Sequence, residues 1–258
     1  MRSLVAAKTV LEAYGDNDIL IKKVERDQQL LKDALISAIA KTHPDRPSAV
    51  TSAQFIAARA FLSQFNQIFT VNYDLLFYWA RNMSDLPPDN YSTDDGFRVG
   101  CKWRGHGTDQ EAHFLHGGLH IFDGGTAIEK HAFSEKGTSI VDLVRANLEH
   151  GKFPLFVSEP NSTKKQQRIE HNPYLNYCFR ALNNVSGIFF IQGHSMDEND
   201  KHIFDQLKKS NVEKFFVSIF GNENSEENTR LKANARAYLE SDRADVEFFD
   251  AESAPIWS

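Results

Sequence analysis

Cysteine is scarce in this chain, with two in 258 residues, Cys101 and Cys178. They lie far apart and neither belongs to a C-x-x-C pair, so a structural zinc ribbon needing four thiolates cannot be assembled and two buried, reduced thiols are expected. No apolar run approaches the length that spans a bilayer. The N-terminus lacks the basic, apolar, small-residue order of a signal peptide, and the expected location is the cytoplasm. Positive charge is not in excess either. A formal net charge of −6 offers no broad cationic surface to nucleic acid or to an anionic membrane. Internal repeats and low-complexity tracts are missing as well.

What is present is the composition of a globular protein, 41% hydrophobic, which predicts one α/β domain over 1–258 built on one core. The twenty phenylalanines recur in apolar runs near 65–77, 153–156, 189–190 and 215–220. That recurrence reads as core, not as an aromatic binding platform.

From 18 to 43, Ile21, Val24, Leu31, Leu35, Ala38 and Ile39 keep helical spacing until Pro44 closes the pattern. Residues 51–66 again read as helix, with Phe55, Ala58, Phe61, Leu62 and Phe65 on one face. They lead into a strand at 67–71, and another helix is expected over 73–80. The segment 82–107 is rich in Pro, Asp, Ser and Gly and reads as loop. Short apolar runs and glycines over 113–133 predict strand, tight turn and hairpin. A helix at 139–148 and a strand at 153–157 follow, then a polar loop at 158–162. The last third is plainest: strands at 188–192, 213–219 and 244–249 alternate with helices at 198–209 and 225–240. This alternation predicts a parallel sheet with right-handed crossovers.

Three apolar runs end in polar groups. The first, 67–74, stops at Asn72 and Asp74; in open α/β sheets the C-terminal edge of the strands is where ligands bind. Asn72 can donate to and accept from ribose hydroxyls or water. Equally, Asn72 can cap the next helix, with Asp74 in its first turn. The second run, 114–118, places His116 before Gly117-Gly118, where backbone can approach a ligand and an imidazole can serve as general base. A lone histidine there can also be a satisfied core residue. The third run reaches Gly193-His194-Ser195 ahead of a helix, so backbone N–H groups and the Ser195 hydroxyl could hold a phosphate. The alternative is a plain strand-to-helix turn capped by Ser195 or Asp197. Gly221-Asn222 reads as a turn and Ser158-Glu159 as a solvated loop.

His106, His113, His116 and His120 raise metal ligation as a rival. The glycine pair breaks the continuous helix that would bring these imidazoles to one face, so no metal is expected.

Taken in order, Phe69-Thr70-Val71-Asn72-Tyr73-Asp74, then Leu115-His116-Gly117, then Gly193-His194-Ser195, resemble the sirtuin-like superfamily of NAD-consuming enzymes. The chain is most similar to a bacterial and phage branch with an Asn-Tyr-Asp-Leu-Leu run, a run like that from Gly193 to Asp200, and an end like that from Ser253 to Trp257. The resemblance covers most of 1–258 and rests on the ordered set of short motifs. It implies a Rossmann-like, doubly wound, mainly parallel sheet that binds NAD, with a helical N-terminal region and a loop and hairpin insertion over 82–135. It implies that Asn72 positions the nicotinamide ribose or a water and that His116 is the general base. Thr70, Asp74, Gly117, Gly193 and Ser195 would contact or shape the cofactor site. Without the four zinc cysteines of sirtuin deacylases, the implied reaction is NAD hydrolysis, in a defensive context. A catalytically silent module binding NAD or ADP-ribose is the alternative, and a histidine-ligated metal hydrolase a further one. The resemblance leaves room for a homo-oligomer or a regulatory partner protein. It also implies an opening strand and glycine-rich turn. Here Gly15 is the only glycine before Gly96 and the chain opens in a helical pattern, Arg2 to Ala7. The expectation is a chain lacking that strand, with an unpaired sheet edge where it belongs.

Overall fold

The computed structural model describes residues 2–15, 17–107, 109–134 and 138–257. It is a mixed α/β structure. Two helices, α1 (Arg2–Tyr14) and α2 (Asp18–Thr42), open the chain as a hairpin tied by a Lys8–Glu25 ion pair at 2.7 Å. Only the C-terminal end of α2 is buried, at Ile39, while Leu30 and Leu31 stay largely exposed. Helix α3 (Ser52–Leu62) begins in a reciprocal capping box between Thr51 and Gln54, which satisfies two backbone donors that a helix start would otherwise leave open.

The three strands that follow form a parallel sheet in the order β1-β3-β2, from β1 (Gln67–Thr70), β2 (Thr93–Asp94) and β3 (Gln110–Phe114). Helix α4 (Leu76–Asn82) connects β1 to the long loop before β2. That loop is held from within by Arg59, which is fully buried and donates to the carbonyls of Ala80, Leu86 and Pro87 at 3.0–3.1 Å. One buried guanidinium thus satisfies carbonyls of α4 and of the loop and pins an irregular segment whose surface stays largely exposed.

A second, antiparallel sheet has the order β5-β4-β6, from β4 (Gly117–Asp123), β5 (Ile128–Lys130) and β6 (Pro154–Phe156). The predicted hairpin is β4–β5. β3 and β4, though adjacent in sequence, belong to different sheets because the chain turns at Leu115-His116. Gly117 makes this turn possible. Its φ is +80° and a Cβ there would lie 1.9 Å from the Leu155 carbonyl oxygen. Gly117→Ala is therefore expected to cost about 3 kcal/mol or more from left-handed backbone and clash together. Urea denaturation checks this, and a loss under about 1 kcal/mol would show that the β4–β6 contact yields easily.

Helices α5 (Ile140–Glu149), α6 (Ser162–Glu170) and α7 (Pro173–Ala181) precede the third sheet. The last two are not among the elements expected above, although α7 carries buried Tyr174, Leu175, Cys178 and Phe179 at helical spacing behind an Asn172 cap. In α6 only Ile169 is buried, too few apolar positions to announce a helix, and its start is set by the Asn161 cap. The third sheet is parallel, β7-β8-β9, from β7 (Ser186–Ile191), β8 (Asn211–Ile219) and β9 (Asp245–Asp250), with α8 (Lys201–Leu207) and α9 (Glu226–Leu239) as crossovers. The alternation expected of this third is present.

The two parallel sheets are not joined by a strand ladder among the described residues. β1 pairs only with β3, and β7 only with β8. They meet through rings instead, Phe69 against Phe189 at 6.1 Å and Phe65 against Phe190 at 5.6 Å. Ile188 and Phe190 on β7 remain 61% and 42% exposed. Of the phenylalanine runs read as core, Phe215 is buried and Phe69, Phe77, Phe153, Phe156 and Phe189 pack partly buried against the core, but Phe220 is 73% exposed; Phe55, Phe114 and Phe204, outside those runs, are buried too. Cys178 is buried and Cys101 half-buried, both free. No helix of the described residues is long and apolar enough to cross a membrane.

Candidate functional site

The site forms where the ends of the first and third sheets approach each other. Beyond β1 the Thr70 carbonyl accepts from Leu115 N at 2.9 Å, extending the parallel ladder to the residue before His116. The His116 carbonyl accepts from Val157 N at 3.1 Å, and the Val157 carbonyl accepts from the Tyr73 hydroxyl. These bonds fix the backbone of His116. Its ring lies 6.4 Å from that of Tyr73 in a stacked arrangement.

From the other side come the residues after β7. Gly193, with φ +65°, donates its N–H to Ser218 Oγ at 2.8 Å. The His194 Nδ1 accepts from Met196 N at 2.9 Å, which leaves its Nε2 carrying the proton, 3.4 Å from Asp200 Oδ2. In the first turn of α8, His202 places Nε2 3.3 Å from His116 Nε2, with the two rings stacked. Its Nδ1 lies 3.2 Å from Ser162 Oγ, and Ser162 also accepts the His202 backbone N–H at 2.8 Å. Lys165, one turn along α6, reaches Asp200 Oδ1 at 2.7 Å. That oxygen is 3.8 Å from His116 Nε2.

The electrostatics follow from burial. Burial lowers the His116 imidazole to about 3, with the Asp200 charge opposing the shift. Burial likewise lowers His202 to about 4, again opposed by Asp200. Both rings are neutral near pH 7. For Asp200, burial alone would raise the carboxyl; hydrogen bonds from His194 and Lys165 outweigh it and hold the group well below the usual carboxylate range. Tyr73 is pushed up to about 12 by burial, reinforced by Asp200 and Glu159. The centre is thus a buried pair of neutral imidazoles beside one carboxylate already paired with a lysine.

The sequence-derived candidates divide. His116 is at the centre of this cluster. Asn72 is exposed, beside Tyr73 in sequence, and its backbone N–H donates to Thr70 Oγ1 at 3.1 Å. It does not cap α4. The N-cap is Leu75, with no side-chain cap; Asp74 lies before the helix, not in its first turn, and accepts from Leu76 N at 2.8 Å. Gly117 serves the close approach of β6, and Gly193 the turn beside His194. The Ser195 hydroxyl donates to Asp197 Oδ2 at 2.8 Å, and neither side chain caps the helical segment that follows.

The other histidines do not join His116. His113 stacks on Phe69 at 4.6 Å, bonds Glu111 at 3.1 Å and neighbours His106 at 4.5 Å. His120 is buried against Tyr78 at 4.1 Å. Among the described residues, the three whose ligand atoms converge within 4.8 Å are His116, Asp200 and His202. Sequence reading gave no role to His202, Ser162 or Lys165. The available signal was slight, an Asp200-x-His202 pair and a Ser162-x-x-Lys165 face, both ordinary for polar helix starts.

These buried histidines set the pH response of folding. Burial lowers His113 to about 4, with His106 adding to the effect. His113, His116 and His202 therefore all sit well below the ordinary 6.5. As pH falls the unfolded chain takes up protons first. The stability contributed by neutral burial is complete above about pH 6.5 and is lost as pH descends toward the folded values, at up to about 1.4 kcal/mol per pH unit for each group. The urea midpoint of metal-free protein is expected to change little from about pH 8 to 7 and to drop steeply from about pH 6.5 to 5. Equal midpoints at the two ends of that lower window would show that these rings are solvated.

The fold and site define a class: a mixed α/β protein in which two parallel sheets bring a histidine pair and a carboxylate together at their ends. The chain belongs to the family described as a domain of unknown function, DUF4917, whose model matches residues 1–257. No curated protein matches the chain.

Proposed function

We propose that this chain binds NAD across the ends of its two parallel sheets, the halves acting as a Rossmann-like dinucleotide site, and hydrolyses it to nicotinamide and ADP-ribose. The supporting observation is the neutral, buried His116 at the end of β3, held beside Asp200 where segments following β1, β3 and β7 converge. In open parallel sheets this edge is the expected ligand position.

The chemistry suits these groups. The bond from ribose C1′ to the nicotinamide nitrogen breaks, its electron pair goes to that nitrogen, and the ring leaves neutral while the ribose becomes an oxocarbenium ion. Water oxygen bonds to C1′ and its proton passes to His116. A weak base is sufficient, because an oxygen bonding to a carbocation becomes far more acidic than imidazolium. The Asp200 carboxylate steadies the imidazolium as it forms. Asn72 would orient the water or the ribose hydroxyls through its carboxamide. A place in bacterial or phage defence, with a regulatory partner or a homo-oligomer, accords with the sequence resemblance.

One observation favours a second reading, a module that binds NAD or ADP-ribose without turnover. The His116 Nε2 faces His202 Nε2 at 3.3 Å, so that nitrogen is occupied before substrate arrives. Incubation of purified protein with NAD, following nicotinamide by chromatography, separates the two. Release supports hydrolysis, whereas calorimetric binding of ADP-ribose without release supports the silent module.

A further inference from the structure

We infer that His116, His202 and Asp200 form a binding site for a divalent transition-metal ion of the zinc class, with Lys165 as its built-in competitor. The spacing carries this. Two imidazole nitrogens about 2.0–2.1 Å from a tetrahedral zinc lie about 3.3 Å apart, and the two Nε2 atoms are 3.3 Å apart. Asp200 Oδ1 is 3.8 Å from His116 Nε2, about half an ångström beyond that tetrahedral edge. All three ligand atoms lie within 4.8 Å of one another, and a shift of the carboxylate toward His202 by about an ångström closes the set to tetrahedral edges.

The outer contacts are those that metal ligands use. A histidine ligand normally donates its other N–H to an acceptor, which fixes the tautomer. With His202 Nδ1 donating to Ser162 Oγ at 3.2 Å, its Nε2 presents a lone pair toward His116. His194, which carries its proton on Nε2, stands 3.4 Å from the second Asp200 oxygen and so orients the carboxylate without being a ligand. The positive charge that Asp200 requires is supplied by the Lys165 ammonium at 2.7 Å. A cation would take over that role, and Lys165 would swing away.

The site is separate in kind from the four-histidine arrangement suggested by His106, His113, His116 and His120, whose other members lie elsewhere. Binding does not depend on the NAD reading. A corollary that does rest on it is inhibition, because an ion held by His116 and Asp200 occupies the two groups that would take up and steady the proton.

The test uses the full chain stripped with a chelator, titrated with Co²⁺ as a spectroscopic probe and with Zn²⁺ against a chromophoric chelator. One equivalent is expected. His202→Gln should weaken binding by about 100-fold and Ser162→Ala by about tenfold. Lys165→Met should tighten it by about tenfold, since a competing unit charge is removed. This gain cannot come from misfolding. Absence of a stoichiometric site, binding unaltered in His202→Gln, or weaker binding in Lys165→Met would each overturn the assignment. Co²⁺ binding by a protein that releases no nicotinamide even when metal-free would leave the metal site standing and the hydrolase reading fallen; release from the metal-free protein that Zn²⁺ suppresses supports both.

Discussion

Replacing His116 by alanine is expected to lower nicotinamide release from NAD by about 10²- to 10⁴-fold, the range in which a positioned general base contributes. Asn72→Ala is expected to lose activity too, by removing the carboxamide that orients water or ribose. The variants test different things. Asn72 is exposed and its side chain makes no hydrogen bond to another described residue, so its loss should leave folding almost untouched. His116 is buried against His202, and its removal leaves a small cavity and an unpaired ring nitrogen. Circular dichroism and a melting curve must therefore accompany that assay. Release that persists in either folded variant would remove that residue from the mechanism; persistence in both would end the hydrolase reading.

The largest loss of stability is expected from Asp95→Ala. The Asp95 carboxylate accepts from Arg81 at 2.9 Å and from Lys130 at 2.6 Å, with Asp95 and Arg81 side chains 3% and 5% exposed. Burial on its own would raise this carboxyl; the charges of Arg81 and Lys130 prevail and hold it down. Removing it strands two cations in the interior, a change that costs about 3–5 kcal/mol for a buried pair. That is a large share of the roughly 5–15 kcal/mol by which domains are stable. Lys130 limits the damage, because burial already lowers its pKa and it can shed its proton. Lys130→Met in the same chain should accordingly restore part of the loss. Urea denaturation of the single and double variants measures the coupling. A single-variant loss below about 1 kcal/mol would mean that water reaches this triad. The surface pair Lys201–Asp205 is the control, worth about 1 kcal/mol or less, with side chains 42% and 50% exposed.

How much of this was legible in the sequence depended on whether a signal was local. The alternation after residue 188 gives β7, α8, β8, α9 and β9 because each element carries its own apolar period. Helix α2 and β1 are readable for the same reason. Helix α6 is not, since one buried isoleucine cannot define a period and its ends are set by caps. Nor could sequence show that β3 and β4 part into different sheets, for this depends on the Leu155 carbonyl passing over Gly117. The site divides likewise. His116 stands out beside its glycines, whereas His202 becomes meaningful only when α8 is folded against the turn after β3. The open space that Gly117 offers is taken in the fold by the Leu155 carbonyl.

The ring-to-ring seam between β1 and β7 has a mechanical consequence. Main-chain hydrogen bonds lock the register of neighbouring strands, but apolar rings in contact are non-directional and permit small shear displacements at little cost. His116 follows β3 and His202 opens α8, so their 3.3 Å separation spans the seam. A slide of about one ångström takes the pair beyond hydrogen-bond range. Whatever grips both halves at once sets the proton connectivity of the centre from a distance, and whatever pries them apart unhooks it.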